Sequence, residues 1–319
     1  MRHGAAPTDR HTERRTRSEE QIMTVTQGLS LSLQSLVDAV AGWPEVGGRR
    51  LHRPDVQERL ARAALAQVPG LPAAVLRIRQ RLTDDGYALV GVPGLAAFPD
   101  VQRDAAVVAV SALFGRPSPV GETTNLLVWD VRPRPDLPAA QQAANVSISS
   151  GEACLHTDAT FAPAPERWFG LWCVRPASDG GASVLVDARR VVEAMAAEPG
   201  ARAAVELLRG TDVPLWNGRT LLPVRVLGGP GQPLVRYRED LIAEGLRRAG
   251  LGPTHPVTEA VDAFARRLGA DSHRTRIRLA ADEVLLVDNH RTVHAREHFA
   301  DPERHLLRVR MSEGPVVPV

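Results

Sequence analysis

Past Asp84 the sequence breaks into short apolar runs separated by turn-forming residues, and that spacing leaves few architectures open. Residues 87–92, 125–131, 146–149, 167–174, 183–186, 221–226, 234–237, 275–279, 283–287 and 306–311 each have strand length and composition. Glycine and proline punctuate them, as at Pro93-Gly94, Gly180-Gly181 and Gly228-Gly229-Pro230-Gly231. Helical periodicity marks residues 29–43, 55–68, 75–82 and 99–114, and later 188–197, 201–208 and 257–268. Many short strands with a few helices outside them give an α+β domain built around a β-sandwich or barrel. Residues 1–24 are polar, charge-dense and aperiodic, and are expected to be disordered, with Met23 a candidate natural start. Residues 25–319 show no repeat and no shift in composition, so a single domain is expected there.

Composition removes whole classes of function. A chain of 319 residues that is 44% hydrophobic has ample core for a large domain. A net charge of +2 gives no bulk electrostatic drive toward nucleic acid or a membrane surface. No apolar run approaches the roughly 20 residues of a membrane span, and the first residues lack an apolar signal core. Cys154 and Cys173 make no disulfide framework, so a cytoplasmic setting is expected. The chain has no lysine, which excludes Schiff-base chemistry, a pyridoxal phosphate anchor and a phosphate-loop lysine. Every cation that is not histidine is arginine, the side chain whose planar fork best grips a carboxylate. No nucleophile-elbow motif precedes any serine.

Chemistry concentrates in Cys154-Leu155-His156-Thr157-Asp158-Ala159-Thr160-Phe161. In an extended backbone His156 and Asp158 project to one face and can grip one ion. They would be two-thirds of a 2-His-1-carboxylate facial triad, which leaves open positions on a non-haem Fe(II). His294 is the candidate third ligand. A rival arrangement places His290, His294 and His298 on one helical face as a zinc site. A zinc protease, however, needs a glutamate where Arg291 stands, and Asp288-Asn289 favours a turn over a helix interior. Near the C-terminus Arg304, Arg308 and Arg310 share one face of a regular strand. Such a row beside a metal is costly unless an anion lies between. A dicarboxylate that chelates the metal and meets an arginine with its far end resolves this. Residues 132–144, rich in proline, glutamine and alanine, form a lid candidate just upstream.

From Asp84 to Ser312 the chain resembles the taurine dioxygenase-like superfamily of Fe(II)/2-oxoglutarate-dependent dioxygenases, clavaminate synthase-like enzymes included. Four blocks carry the resemblance in order. They are the HTDATF block, Gly180-Gly181-Ala182-Ser183, the run from Val287 to Arg296, and Arg304-His305-Leu306-Leu307-Arg308. The resemblance implies a double-stranded β-helix, a jelly-roll or cupin-like core, with flanking helices. It implies that His156, Asp158 and His294 hold Fe(II), and that Ser183 hydrogen-bonds the distal carboxylate of 2-oxoglutarate. It implies that Arg304 pairs with that carboxylate and that Arg308 faces substrate or the other end of the co-substrate. The spacing from His294 to Arg304 is short for the family, so a shifted register with Arg308 as the clamp stays open. The implied reaction consumes O2 and 2-oxoglutarate, releases succinate and CO2, and hydroxylates, desaturates or cyclises at an unactivated C–H bond. Asp158 argues against a halogenase, which vacates that position. The expected substrate is a small molecule, anionic or amino-acid-like. Two other readings remain: the zinc hydrolase, and a non-catalytic jelly-roll that binds a small acid.

Overall fold

The computed structural model describes residues 28–120, 124–138, 141, 145–229 and 231–319. The expectations for residues 1–24 and Met23 lie outside the described residues, as does part of the lid candidate.

Twelve strands fall in sequence order among the described residues: β1 Tyr87–Gly91, β2 Arg116–Ser118, β3 Trp129–Val131, β4 Ala153–His156, β5 Trp168–Arg175 and β6 Ser183–Asp187 come first. β7 Asp212–Trp216, β8 Leu221–Arg225, β9 Arg274–Ile277, β10 Glu283–Asp288, β11 Thr292–Arg296 and β12 His305–Ser312 follow. The larger sheet runs β1-β10-β5-β12-β2, with β3 also on β12, and the smaller runs β4-β11-β6-β9. All pairings are antiparallel. The two sheets face each other as the expected jelly-roll, held by Leu89, Phe169, Leu185, Ile277, Leu285, Val287 and Leu306.

The two-residue period of the strands explains how the layers assemble. On β10, Leu285 and Val287 face the other sheet, while Val284 and Leu286 face the N-terminal helices. On β12, Leu306 points inward, and Leu307, Val309 and Met311 pack under helices Gln34–Val40, Pro54–Gln67, Leu71–Asp85 and Asp100–Ser111. Burial on both faces is why these strands read as continuous apolar runs. Helices Ala188–Ala197, Pro199–Gly210, Glu239–Arg248 and Pro256–Gly269 pack with the β7–β8 hairpin on the outer face of the smaller sheet.

Two elements cross the whole domain. Gly86 closes helix Leu71–Asp85 at φ +82, and a Cβ there would meet Thr292 Oγ1 at 2.6 Å. Arg291 caps the same helix end, donating to the carbonyls of Thr83 at 2.5 Å and Asp84 at 2.8 Å. It also forks onto Asp187 at 2.9 and 2.5 Å, with both side chains largely buried. Arg291→Ala strips a buried carboxylate of its forked partner and leaves two helix carbonyls without this donor. It should cost about 3–5 kcal/mol of unfolding free energy by urea titration; a loss below about 1 kcal/mol would contradict this.

Asp104 supplies a pH-dependent term. Burial pushes its carboxyl up to about 6, which the neighbouring Arg103 opposes only in part. A raised acid pKa favours the folded state fully below the ordinary value of 3.8, and the advantage is lost as pH rises through about 6. Asp104→Asn should therefore raise the Tm at pH 7.5, and the gain should fade between about pH 6 and pH 4.

Several sequence expectations are corrected. Residues 146–149 are not a strand: Val146–Ile148 is a 3-10 turn, because the Asn145 side chain accepts from Ser147 N. Of residues 125–131 only Trp129–Val131 pairs. Residues 234–237 form no strand: Val235 makes an isolated bridge with Leu227, and Arg238 just beyond makes one with His156. β7 was hidden by its proline: Pro214 lies opposite Pro223 in an isolated hairpin, where a missing donor is tolerated. Helix Glu239–Arg248 was not expected, yet Ile242, Gly245 and Leu246 are buried along it at helical spacing, and Glu239 and Asp240 in its first turn and Arg247 and Arg248 in its last follow the helix dipole.

Candidate metal centre

β4 ends at His156, and His156 stands directly opposite His294 of β11 in the ladder. The register thus brings together two imidazoles that are far apart in sequence, with ring centroids 4.2 Å apart. Asp158 arrives differently from expectation. The strand stops before it, because Thr157 N turns to the carbonyl of Tyr237 at 2.7 Å and Ala159 takes a left-handed φ of 53°. Asp158 therefore sits at the start of a turn, not two places along a strand. One of its oxygens lies 3.9 Å from Nε2 of each histidine. One ligating atom from each of the three residues falls within 4.8 Å of the others.

The electrostatics prepare these groups for a cation. Burial pushes His156 below its ordinary pKa, and the Asp158 carboxylate opposes this only partly. Burial, reinforced by His156, holds His294 down to about 3, so both rings present lone pairs at neutral pH. Burial alone would raise Asp158, but the Arg308 guanidinium, together with His294, His156 and Arg310, outweighs it and keeps the carboxyl below its ordinary range. Arg308 Nη1 donates to Asp158 Oδ1 at 3.3 Å. The other oxygen, Oδ2, is buried with no hydrogen-bond partner among the described residues. A buried carboxylate oxygen left without a donor is costly unless something absent from a protein-only structure meets it. The donor set, two neutral imidazoles and one carboxylate, fits a divalent transition metal with open positions.

These residues line a pocket between the sheets, shared with Ser183, Arg296, Arg304 and Arg308. Its other walls are apolar, among them Val131, Leu171, Leu185, Leu285 and Leu306. Arg304 is only 4% exposed, and its Nη1 is buried without a partner. Burial lowers its pKa to about 10. It stacks over Phe299 at 4.7 Å, while Arg296 covers the same ring at 5.0 Å. Arg304 and Arg308 thus differ in kind: Arg308 already faces Asp158, and Arg304 pairs with no carboxylate among the described residues. The strict strand period also fails, because β12 begins at His305 and its register against β5 shifts between His305 and Leu306. Ser183 opens β6 and is 7% exposed. Gly180, at φ +55, makes its placement possible: a Cβ there would strike the His298 carbonyl at 2.2 Å.

The zinc row does not form. His290 sits at the β10–β11 turn with its Nε2 against the Pro165 carbonyl at 2.9 Å, and His294 is on a strand. No helix holds the three histidines together. Other singled-out residues have structural partners. Arg236 donates to the carbonyls of Thr160 and Ala162, both at 2.7 Å, and Asn217 accepts from Arg219 N and Thr220 N. Trp216 lies under Arg248 at 3.9 Å, and Cys154 donates to Asp240 at 3.3 Å. His255 caps helix Pro256–Gly269, its side chain accepting from Val257 N. Arg296 was missed as a pocket residue, although it follows His294 by the two-residue step that puts strand neighbours on one face.

A jelly-roll that gathers two imidazoles and a carboxylate beside a buried, unpaired arginine has the layout of a mononuclear non-haem metal protein. The chain belongs to the taurine catabolism dioxygenase TauD, TfdA family, whose sequence profile matches residues 67–310. It is 32% identical over 147 residues to a uridine-5'-phosphate dioxygenase from Streptomyces sp, a match covering 44% of this chain and 53% of that protein. The match thus spans about half the length of that curated relative. Among solved structures it resembles an asparagine oxygenase in complex with Fe(II), 2S,3S-3-hydroxyasparagine and succinate. The TM-score is 0.64 at 21% identity, over 89% of this chain and 93% of that one. It also resembles the non-haem iron oxygenase OrfP in complex with Fe and alpha-ketoglutaric acid, with TM-score 0.65 at 18% identity, over 89% and 94%. Both likenesses bear out the jelly-roll with flanking helices.

Proposed function

We propose that the chain is an Fe(II)- and 2-oxoglutarate-dependent oxygenase that hydroxylates an unactivated C–H bond of a small anionic or amino-acid-like molecule. One observation carries the reading: Asp158 sets Oδ1 3.9 Å from each of two imidazoles held neutral and keeps Oδ2 buried without a donor, in the same pocket as Arg304, whose Nη1 is buried without a partner among the described residues. A metal dication and a dicarboxylate answer both deficits at once. His156, Asp158 and His294 would hold the metal. When bound, Fe(II) supplies the O2 chemistry that turns 2-oxoglutarate into succinate and CO2 and breaks the C–H bond.

The chain's own groups account for the rest. Arg304 pairs with the distal carboxylate of 2-oxoglutarate, and its burial makes that pairing strong. Ser183 lines the same pocket and donates its hydroxyl to that carboxylate. Arg308 helps keep Asp158 ionised and, lining the same pocket, offers charge to an anionic group of the substrate. The leucines and Val131 exclude water from the reacting end. The substrate class rests on this arginine excess and on the molecules held by similar proteins, hydroxyasparagine in one and (3S)-hydroxy-L-Arg in another. Among the described residues no helix is long and apolar enough to cross a membrane. A cytoplasmic setting is part of this reading.

The test is direct. Anaerobic protein with Fe(II) and 2-oxoglutarate should develop weak visible absorption. On admission of O2 with a panel of amino acids and small anionic metabolites, it should form succinate in step with one of them. Tight binding of 2-oxoglutarate with no succinate from any panel member would instead favour a sensor.

A further inference from the structure

The three groups of the metal site are not fixed by the same device. His156 and His294 are locked to each other by the β4–β11 register. Asp158 lies beyond the end of β4, where no ladder hydrogen bond constrains it. What fixes it is the side chain of Asn289, in the turn between β10 and β11. Asn289 Oδ1 accepts from Asp158 N at 2.7 Å, and Nδ2 donates to Asp158 O at 3.1 Å. The same Nδ2 donates to Glu166 O at 2.8 Å, and Asn289 N donates to Arg167 O at 2.7 Å. The residue is 2% exposed.

We propose that Asn289 is the positioning residue of the metal site: it sets Asp158 against the two histidines by gripping both polar groups of the Asp158 backbone. The inference rests on the metal-site reading above. Asn289 bonds the backbone on either side of Asp158 and touches neither carboxylate oxygen, so it orients the ligand without competing for it. Its bond to Glu166 O closes the other end of the loop, so one amide draws in residues 158–166 at both ends. Because Asn289 lies in the turn that carries the chain from β10 of the larger sheet into β11 of the smaller, which bears His294, the carboxylate and the distal imidazole are referred to one short segment. Outer partners that orient a metal ligand typically contribute about 10–100-fold in metal affinity.

The experiment is an anaerobic calorimetric titration of the metal-free full chain with Co(II) and with Fe(II), paired with a thermal melt. Asn289→Ala should weaken metal binding about 10–100-fold in protein that still melts cooperatively. Asn289→Ser, whose hydroxyl is too short to reach both groups, should weaken it comparably and serves if the alanine variant does not fold. Asn217→Ala is the control, because Asn217 holds a remote turn through two backbone donors. It should lower the Tm and leave metal affinity unchanged. Folded Asn289 variants with wild-type metal affinity and only a lower Tm would overturn the proposal and leave the metal site standing. A wild-type chain that takes up neither metal would overturn the metal-site reading itself, and this inference with it.

Discussion

Asp158→Ala should leave on the order of 1% or less of the metal affinity of the natural chain, and no O2-dependent succinate. Losing an outer partner of a metal ligand costs about 10–100-fold, and losing the ligand itself should exceed that. The effect should be large here because the other two donors are uncharged: His294 is held down to about 3 and His156 is also lowered, so Asp158 is the only anion in the triad. Removing it leaves Arg308 facing the site without its counter-charge, which further disfavours a cation. Anaerobic metal titration and succinate assay read both consequences. Metal binding and turnover that survive Asp158→Ala would end the facial-triad reading.

Arg304→Ala should raise the dissociation constant for 2-oxoglutarate by roughly 30-fold or more, since truncating one partner of a buried charge pair costs about 2–5 kcal/mol. Arg308→Ala should weaken 2-oxoglutarate much less, and should instead weaken metal and substrate binding through Asp158. The asymmetry comes from what each guanidinium already has. Arg304 is 4% exposed, with an unpartnered Nη1 and a pKa lowered to about 10 by burial, so it lacks an anion. Arg308 has one. Metal-loaded variants titrated with 2-oxoglutarate in the absence of O2 give the order. The reverse order would support the shifted register, in which Arg308 is the clamp.

The comparison of sequence with structure is clearest at the residues that carry the site. His156 and Asp158 were visible because they are local, two positions apart in one block. Their arrangement was not, because it depends on where β4 stops, and that is set by Thr157 bonding to Tyr237, a partner remote in sequence. Asn289 read only as a turn residue, since a side chain that reaches across the domain to a backbone leaves no periodic trace. Arg291 likewise counted only as an obstacle to a zinc motif, and it holds a helix end and a buried carboxylate.

The sequence by itself determined the repertoire: an α+β domain around a β-sandwich or barrel written in short apolar strands, no lysine chemistry, two imidazoles and a carboxylate in motif spacing, and arginines waiting for an anion. Period, composition and turn chemistry are local properties, so they survive in the linear chain. Only the tertiary structure decided that β4 and β11 pair with His156 opposite His294, that Asp158 swings in from a turn, and that Arg304 is buried in the pocket with an Nη1 that meets no partner among the described residues. Those outcomes depend on strand register and on which buried charges find partners, and both are settled by contacts between residues far apart along the chain.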